Sequence, residues 1–339
     1  MTQLGMAQRP RVGLILTGGT IDSVGADRLD LAWYFETAKR LGRGELLARL
    51  PELADCAVVE EIPFRAVSSQ ALVDRDWLDL NRKIHDIFEQ DRADGIVITH
   101  GTNTLEETAY FLNLTLKTDR PVVIVGAMRP SSALSADGYL NVLNAVKVAA
   151  DPASRGLGCL VVMNDAIYAA RDVTKNATFR VDAFTSRDLG PLGFADADGN
   201  VIYYHAPRRK HTTATEFDVR AMQALPRVDI VLSYANADGA MIEAAVKAGA
   251  KGIVNAATGG GRPTPAEDAA FDKARSDNGL LMCLSSRVVS GRVVRSPSLA
   301  KRGFVAADNL QPWKARILLS LALAKTANAD DIQRMFDTY

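Results

Sequence analysis

Three observations predict an α/β fold in two domains, a larger N-terminal one and a smaller C-terminal one, built on mostly parallel sheets. Short β-branched runs recur along the chain without polar interruption, as a sheet covered on both faces requires. Most are followed by a segment with helical periodicity, and strand-helix alternation means parallel pairing. A polar, basic, non-periodic stretch at 207–215 interrupts this alternation, which then restarts.

The first run, 12–16 (Val-Gly-Leu-Ile-Leu), ends in Thr17-Gly18-Gly19-Thr20 and reads as a buried strand. Further strands are expected at 95–99, 121–125, 159–163, 228–232 and 252–254, each stopped by small or polar residues. Helices are expected at 76–91, 105–117, 136–150, 239–248, 265–274 and 312–325, with a short helical tail to Tyr339. The domains are placed at 1–206 and 225–339, joined by a linker at 207–224, in which Arg208-Arg209-Lys210 reads as a solvated run. Trp77 and Trp313 fall in helical segments and read as core or interface residues.

Forty Lys plus Arg balance forty Asp plus Glu, and no block of like charge stands out. That argues against a nucleic-acid or anionic-membrane partner. No apolar run approaches the roughly 20 residues of a membrane span. Cys56, Cys159 and Cys283 are far apart and odd in number, which fits a reducing, cytoplasmic setting. Cys159 and Cys283 lie in strand-like runs and read as buried thiols. The four histidines and three cysteines show no ligand spacing, so neither a metal nor another cofactor is expected.

In open parallel sheets ligands bind beyond the carboxyl ends of the strands. Those ends are rich in hydroxyls here: Thr17-Gly18-Gly19-Thr20 after the first strand, and His100-Gly101-Thr102-Asn103-Thr104 after the run at 95–99. A Gly pair allows a tight turn and close approach of backbone N–H groups. The spacing is neither G-x-G-x-x-G nor a P-loop, and no G-x-S-x-G elbow accompanies the histidines. A hydroxyl needs a base to become a nucleophile. Lys175 is a candidate if burial lowers its pKa, although spacing alone reads it as a surface lysine.

Taken together, Thr17-Gly18-Gly19-Thr20-Ile21, Ser69-Gln70, the run from Ile98 through Thr102 to Tyr110, Gly126-Ala127-Met128-Arg129-Pro130, Ser135-Ala136-Asp137-Gly138 and Arg171-Asp172-Val173-Thr174-Lys175 resemble the bacterial-type L-asparaginases. The likeness extends through Gly190-Pro191-Leu192-Gly193 and Ser285-Ser286-Arg287-Val288 to the C-terminus. It implies a flavodoxin-like small domain, and a homotetramer of intimate dimers with active sites between subunits. It also implies an amidohydrolase acting on linear amides through a threonine acyl-enzyme, releasing ammonia. Carried over residue by residue, Thr20 is the nucleophile on a flap, Thr102 and Lys175 form a second hydroxyl–lysine pair, and Ser69 and Gln70 bind the substrate's α-carboxylate end. Gly19, Gly101 and Asn103 belong to the same substrate site. Tyr34 is the flap tyrosine, with Trp33 competing for that place.

The chain departs from the family where the substrate's α-ammonium group is held. Asn103 stands in place of an Asp, Thr258-Gly259-Gly260-Gly261 lacks a frequent Asn, and 290–299 contains no acid. Asp22, Glu106 or Glu107 could substitute from another position. The expectation is a working amidohydrolase, with L-asparagine the default substrate. The alternatives are another amide, lactam or ester without the α-ammonium, a D-isomer, or a non-catalytic sensor of a dicarboxylic acid or its amide.

Overall fold

The computed structural model describes residues 9–339, which divide into two compact units, one ending at Arg208 and the other running from Arg209 to Tyr339. In the first unit the strands are β1 (Arg11–Leu16), β2 (Ser23–Val24), β3 (Lys39–Arg40), β4 (Val58–Pro63), β5 (Gly95–Thr99), β6 (Val122–Val125), β7 (Cys159–Met163), β8 (Ala166–Ala169), β9 (Thr174–Lys175), β10 (Phe184–Thr185), β11 (Gly193–Ala195) and β12 (Val201–Tyr203). Its helices are α1 (Glu45–Ala48), α2 (Leu53–Cys56), α3 (Asp74–Glu89), α4 (Leu105–Thr115) and α5 (Gly138–Ala150).

Eight strands form the main sheet in the order β12-β11-β8-β7-β6-β5-β1-β4. The pairs β4·β1, β1·β5, β5·β6 and β6·β7 are parallel, whereas β8, β11 and β12 add on by antiparallel pairing. The parallel strands are apolar because both faces are covered; Leu14, Ile98, Ile124 and Val161 are all fully buried. Burying such a side chain contributes roughly 1.5–3 kcal/mol, so this block dominates the unit's stability. Trp77 on α3 stacks on Phe111 of α4 at 5.2 Å between ring centroids, in the core.

The topology reverses at β1. From β1 the chain moves outward to β4, then crosses back to place β5 on the other side of β1. Beyond these two strands the chain leaves to opposite sides, from β1 toward β4 and from β5 toward β6, and ligands bind at the carboxyl edge where a sheet reverses in this way. Two further pairs lie outside the main sheet: β2 with β3, which closes the 24–39 hairpin, and β9 with β10.

The second unit contains β13 (Val228–Leu232), β14 (Gly252–Ala257), β15 (Leu281–Ser286) and β16 (Val305–Ala306), all parallel and in that order. Its helices are α6 (Ala240–Lys247), α7 (Pro265–Asn278), α8 (Pro297–Lys301), α9 (Pro312–Leu323) and α10 (Ala329–Thr338). Residues 209–224 contain only a single 3-10 turn, yet they are packed rather than free. Arg209 pairs with Asp308 at 2.6 Å, Glu216 pairs with Arg334 at 2.9 Å, and the buried Phe217 ring meets Tyr339 at 5.2 Å. The basic run is thus anchored at Arg209 to its own unit, and the solvated reading does not hold there. Cys159 and Cys283 are buried, and burial pushes the pKa of both thiols upward. No described helix is long and apolar enough to cross a membrane.

Candidate active site

Backbone contacts bring the loops after β1 and β5 together. Thr17 extends the β1·β5 pairing, its N–H and hydroxyl both donating to the Thr99 carbonyl at 3.2 and 2.7 Å. The chain then turns through Gly18 and Gly19, at φ +91° and +117°, a region that disfavours residues with a Cβ. A Cβ on Gly19 would lie 2.6 Å from the Gly101 backbone, and one on Gly101 would lie 2.7 Å from Ser69 Oγ. Three loops meet here at distances only glycine permits.

Thr20 opens a one-turn 3-10 helix, and its Oγ1 lies 2.8 Å from the Tyr34 hydroxyl. Tyr34 is carried by the 24–39 hairpin, which side chains shape. Asp30 accepts from the N–H groups of Ala26 and Trp33, and Thr37 donates to the Val24 carbonyl at 2.6 Å. Trp33 is 66% exposed, so of the two competing aromatics it is Tyr34 that touches Thr20. Arg40 on β3 pairs with Asp22 at 3.3 Å, and desolvation raises the Asp22 carboxyl above its usual range.

Thr102 is buried, and Lys175 Nζ stands 2.8 Å from its Oγ1. The surface-lysine reading from spacing is therefore overturned. Lys175 is half-buried because β9 returns past the N-terminus of α4, a contact spanning 73 residues. Burial lowers its pKa, which the nearby Glu106 charge opposes. A lysine held this way can reach the neutral amine form and accept a proton.

Asn103 lies between two neighbours, with Oδ1 3.4 Å from Lys175 Nζ and Nδ2 donating to Gln70 Oε1 at 3.2 Å. Gln70 and Ser69 sit on a 3-10 turn held by Thr104, whose hydroxyl donates to the Ser69 carbonyl at 2.9 Å. Ser69 Oγ is buried and has no hydrogen-bond partner among the described residues, so it faces Gly101 with bonding capacity to spare. The acids considered as substitutes for the missing carboxylates are not equivalent. Asp22 is paired with Arg40, and Glu106 is buried and accepts from Thr174 Oγ1 and Lys175 N.

Several supporting residues carry no motif of their own. His100 is fully buried; its Nδ1 lies 2.8 Å from the Gly101 carbonyl and its Nε2 2.9 Å from Thr108 Oγ1, which also accepts from Trp77 Nε1. A carbonyl only accepts, so the ring proton is on Nδ1 and Thr108 donates to Nε2. Burial lowers the His100 pKa to about 4, consistent with this neutral tautomer. Asp137, just before α5, accepts from the N–H groups of Met128 and Arg129 and fixes the loop after β6.

In the second unit neither 258–261 nor 290–299 contains an Asp or Glu. The turn after β14 closes through Thr258 Oγ1 donating to the Arg262 carbonyl at 2.7 Å, with Gly261 at φ +86° packed against Val293. Arg295, in the acid-free 290–299 stretch, pairs with Asp330 at 2.7 Å. Among the described residues no group of three or more His, Cys, Asp or Glu is placed to hold a metal ion.

The asparaginase N-terminal domain model matches residues 11–209, and the glutaminase/asparaginase C-terminal domain model matches 227–336. The chain is 44% identical to L-asparaginase 2 of Escherichia coli strain K12 over 334 residues, covering 97% of this chain and 93% of that protein. It is 41% identical to the glutaminase-asparaginase of Pseudomonas fluorescens biotype A, covering 97% of this chain and 90% of that one. Among solved structures, a probable cytoplasmic L-asparaginase from Campylobacter jejuni matches with a TM-score of 0.93 and 40% identity, covering 98% of this chain and all of that one. Both domain models, in order and over nearly the whole chain, place this protein in the asparaginase family.

Proposed function

We propose that the chain hydrolyses a small linear amide, L-asparagine by default, to the acid and ammonia. The observation that carries this reading is a pair of threonine hydroxyls on neighbouring loops, each with its own proton partner: Thr20 with Tyr34 and Thr102 with Lys175. Thr20 Oγ1 attacks the amide carbon and passes its proton toward Tyr34. The developing oxyanion is met by backbone N–H groups of the glycine turns. The C–N bond then breaks, the nitrogen leaves as ammonia after taking a proton, and an ester joins the acyl group to Thr20. Neutral Lys175, through Thr102, draws a proton from the water that hydrolyses the ester, and Thr20 is released.

Asn103 supports a second reading of substrate choice. Replacing a carboxylate that faces an ammonium by a neutral amide removes about 1–3 kcal/mol of charge-assisted hydrogen bonding while keeping the shape. Glu106 is engaged behind Lys175 and Asp22 by Arg40, so neither supplies a free charge. The same machinery then favours an amide without the α-ammonium, such as succinamic acid, or one presenting it differently, as a D-isomer does.

Ammonia release from L-asparagine, D-asparagine and succinamic acid, with Thr20→Ala as blank, tests both readings. Release from L-asparagine alone supports the default, and faster release from succinamic acid supports the second. Thermal stabilisation by these compounds without any turnover contradicts hydrolysis and identifies a sensor. The family resemblance further supports a homotetramer of intimate dimers in the cytoplasm; sedimentation of a fully active monomer would overturn the assembly.

A further inference from the structure

Lys175 reaches Thr102 from a strand only two residues long, β9, paired with β10. One carboxylate ties the backbone of that strand to the helix beside Thr102. Lys175 N and Thr174 Oγ1 both donate to Glu106 Oε1, at 3.0 and 3.1 Å. Glu106 lies in the first turn of α4, the helix that begins three residues after Thr102. It is rooted in the element that carries Thr102 and grips the element that carries Lys175.

We propose that Glu106 is the positioning residue of the Thr102–Lys175 pair: its carboxylate fixes the backbone that aims Lys175 at Thr102, and its charge delays the onset of activity as pH rises. The inference rests on the reading that neutral Lys175 is the working base. The groups facing Lys175 from other elements are Glu106 on α4, the uncharged Thr102 and Asn103 in the loop, and Phe184, opposite it on β10. In the preceding turn Arg171 and Asp172 form an ion pair at 3.0 Å. Burial disfavours the ammonium form and the Glu106 charge favours it, with burial the larger effect. The carboxylate therefore supplies geometry at some cost to basicity.

These two contributions separate by substitution. Glu106→Gln keeps an oxygen that can accept from Lys175 N and removes the charge. Its acid limb in kcat/KM against pH is expected to move about one unit lower, with activity one unit below the original limb rising about fivefold relative to its own plateau. Glu106→Asp keeps the charge and withdraws the carboxylate by one methylene. Its plateau kcat is expected to fall about tenfold with the limb in place. A residue needed only for folding would lower the melting temperature or the plateau in both variants without shifting the limb of Glu106→Gln.

Ammonia release from L-asparagine or succinamic acid, whichever turns over, is the readout, with Lys175→Met alongside. Should Lys175→Met keep its activity, the base reading fails. Should it lose activity while the Glu106→Gln limb stays or moves upward, the inference about Glu106 fails alone. If Glu106→Gln does not fold, Glu106→Asp decides: an unchanged plateau, or a limb displaced by more than about half a unit, overturns the proposal.

Discussion

The two threonines stand in the loops that leave the adjacent strands β1 and β5, yet their surroundings differ in kind. Thr20 meets its partner within 14 residues, on a hairpin whose other aromatics, Trp33 and Phe35, are more than half exposed. Thr102 meets its partner across 73 residues, and the groups beneath the pair are buried: His100, Thr108 and Trp77 behind the loop, Glu106 beneath Lys175. Low local packing marks segments that open readily, whereas a buried, fully bonded network holds its geometry. One half of the site is prebuilt, and the other is completed by a surface element. In the proposed reaction Thr20, in the half completed by the surface element, takes the acyl group, and Thr102 with Lys175, in the prebuilt half, draws the proton from water.

Removing either half should be costly, and most so at the groups that move protons. Thr20→Ala, Thr102→Ala and Lys175→Met are each expected to lower kcat by about a thousandfold or more, measured by ammonia release. If Thr102→Ala stayed within tenfold of the parent, the division of labour between the halves would be wrong. Tyr34→Phe should lower kcat by about a hundredfold, since a positioned proton donor and acceptor contributes on that order. Trp33→Phe should change kcat far less, and equal effects would erase the distinction between the touching aromatic and the exposed one. Asn103→Asp restores a carboxylate beside Lys175 and should shift the ratio of L-asparagine to succinamic acid turnover about tenfold toward L-asparagine. No change in that ratio would leave the neutral side chain without influence on substrate choice.

The smallest expected effects are on stability and sharpen the contrast from the buried side. The folded pKa of His100 is about 4, below the 6.5 of the free side chain. Between those values the unfolded chain takes up a proton that the folded one refuses. Stability from this group is complete above pH 6.5 and is lost as pH falls, by on the order of 3 kcal/mol at pH 4. Denaturant melts of parent and His100→Gln at pH 7 and pH 4 should show a loss at acid pH that the variant lacks. Gly101→Ala, whose Cβ would press on Ser69, is expected to cost about 1–3 kcal/mol in the same melts.

The strands that carry the site were legible in the sequence because burial on both faces leaves an uninterrupted apolar signature. The runs at 12–16, 95–99 and 159–163 correspond to β1, β5 and β7 almost residue for residue. Helix boundaries moved where side chains intervened. The helix expected at 76–91 starts two residues earlier, as Asp76 turns back to accept from Val73 N, and that expected at 136–150 starts at Gly138 because Asp137 is engaged with the preceding loop. The helix expected at 265–274 runs on to Asn278 and stops at Gly279, at φ +63°, a glycine C-cap visible in the sequence. The strands β8 to β12 carried no comparable signature: they are two to four residues long and pair antiparallel at one end of the sheet or beside it.

At the site, motif and turn chemistry pointed to Thr20 and Thr102. The pairing of Thr102 with Lys175 rested on resemblance alone, because no local spacing encodes a contact across 73 residues. His100 was visible only as a histidine before a turn, and Glu106 only as one of three acids that could substitute at the ammonium site. Their roles come from burial and from partners distant in the chain.

The most direct test of a site in two halves is to trap the intermediate. Rapid acid quenching during turnover of a slow ester or hydroxamate analogue of the preferred substrate, followed by peptide mass spectrometry, locates the acyl group. The account predicts the added mass on the peptide containing Thr20, accumulating further in Lys175→Met if any acylation survives there. An acyl group on Thr102 instead, beside the buried amine, would contradict it and exchange the roles of the two hydroxyls.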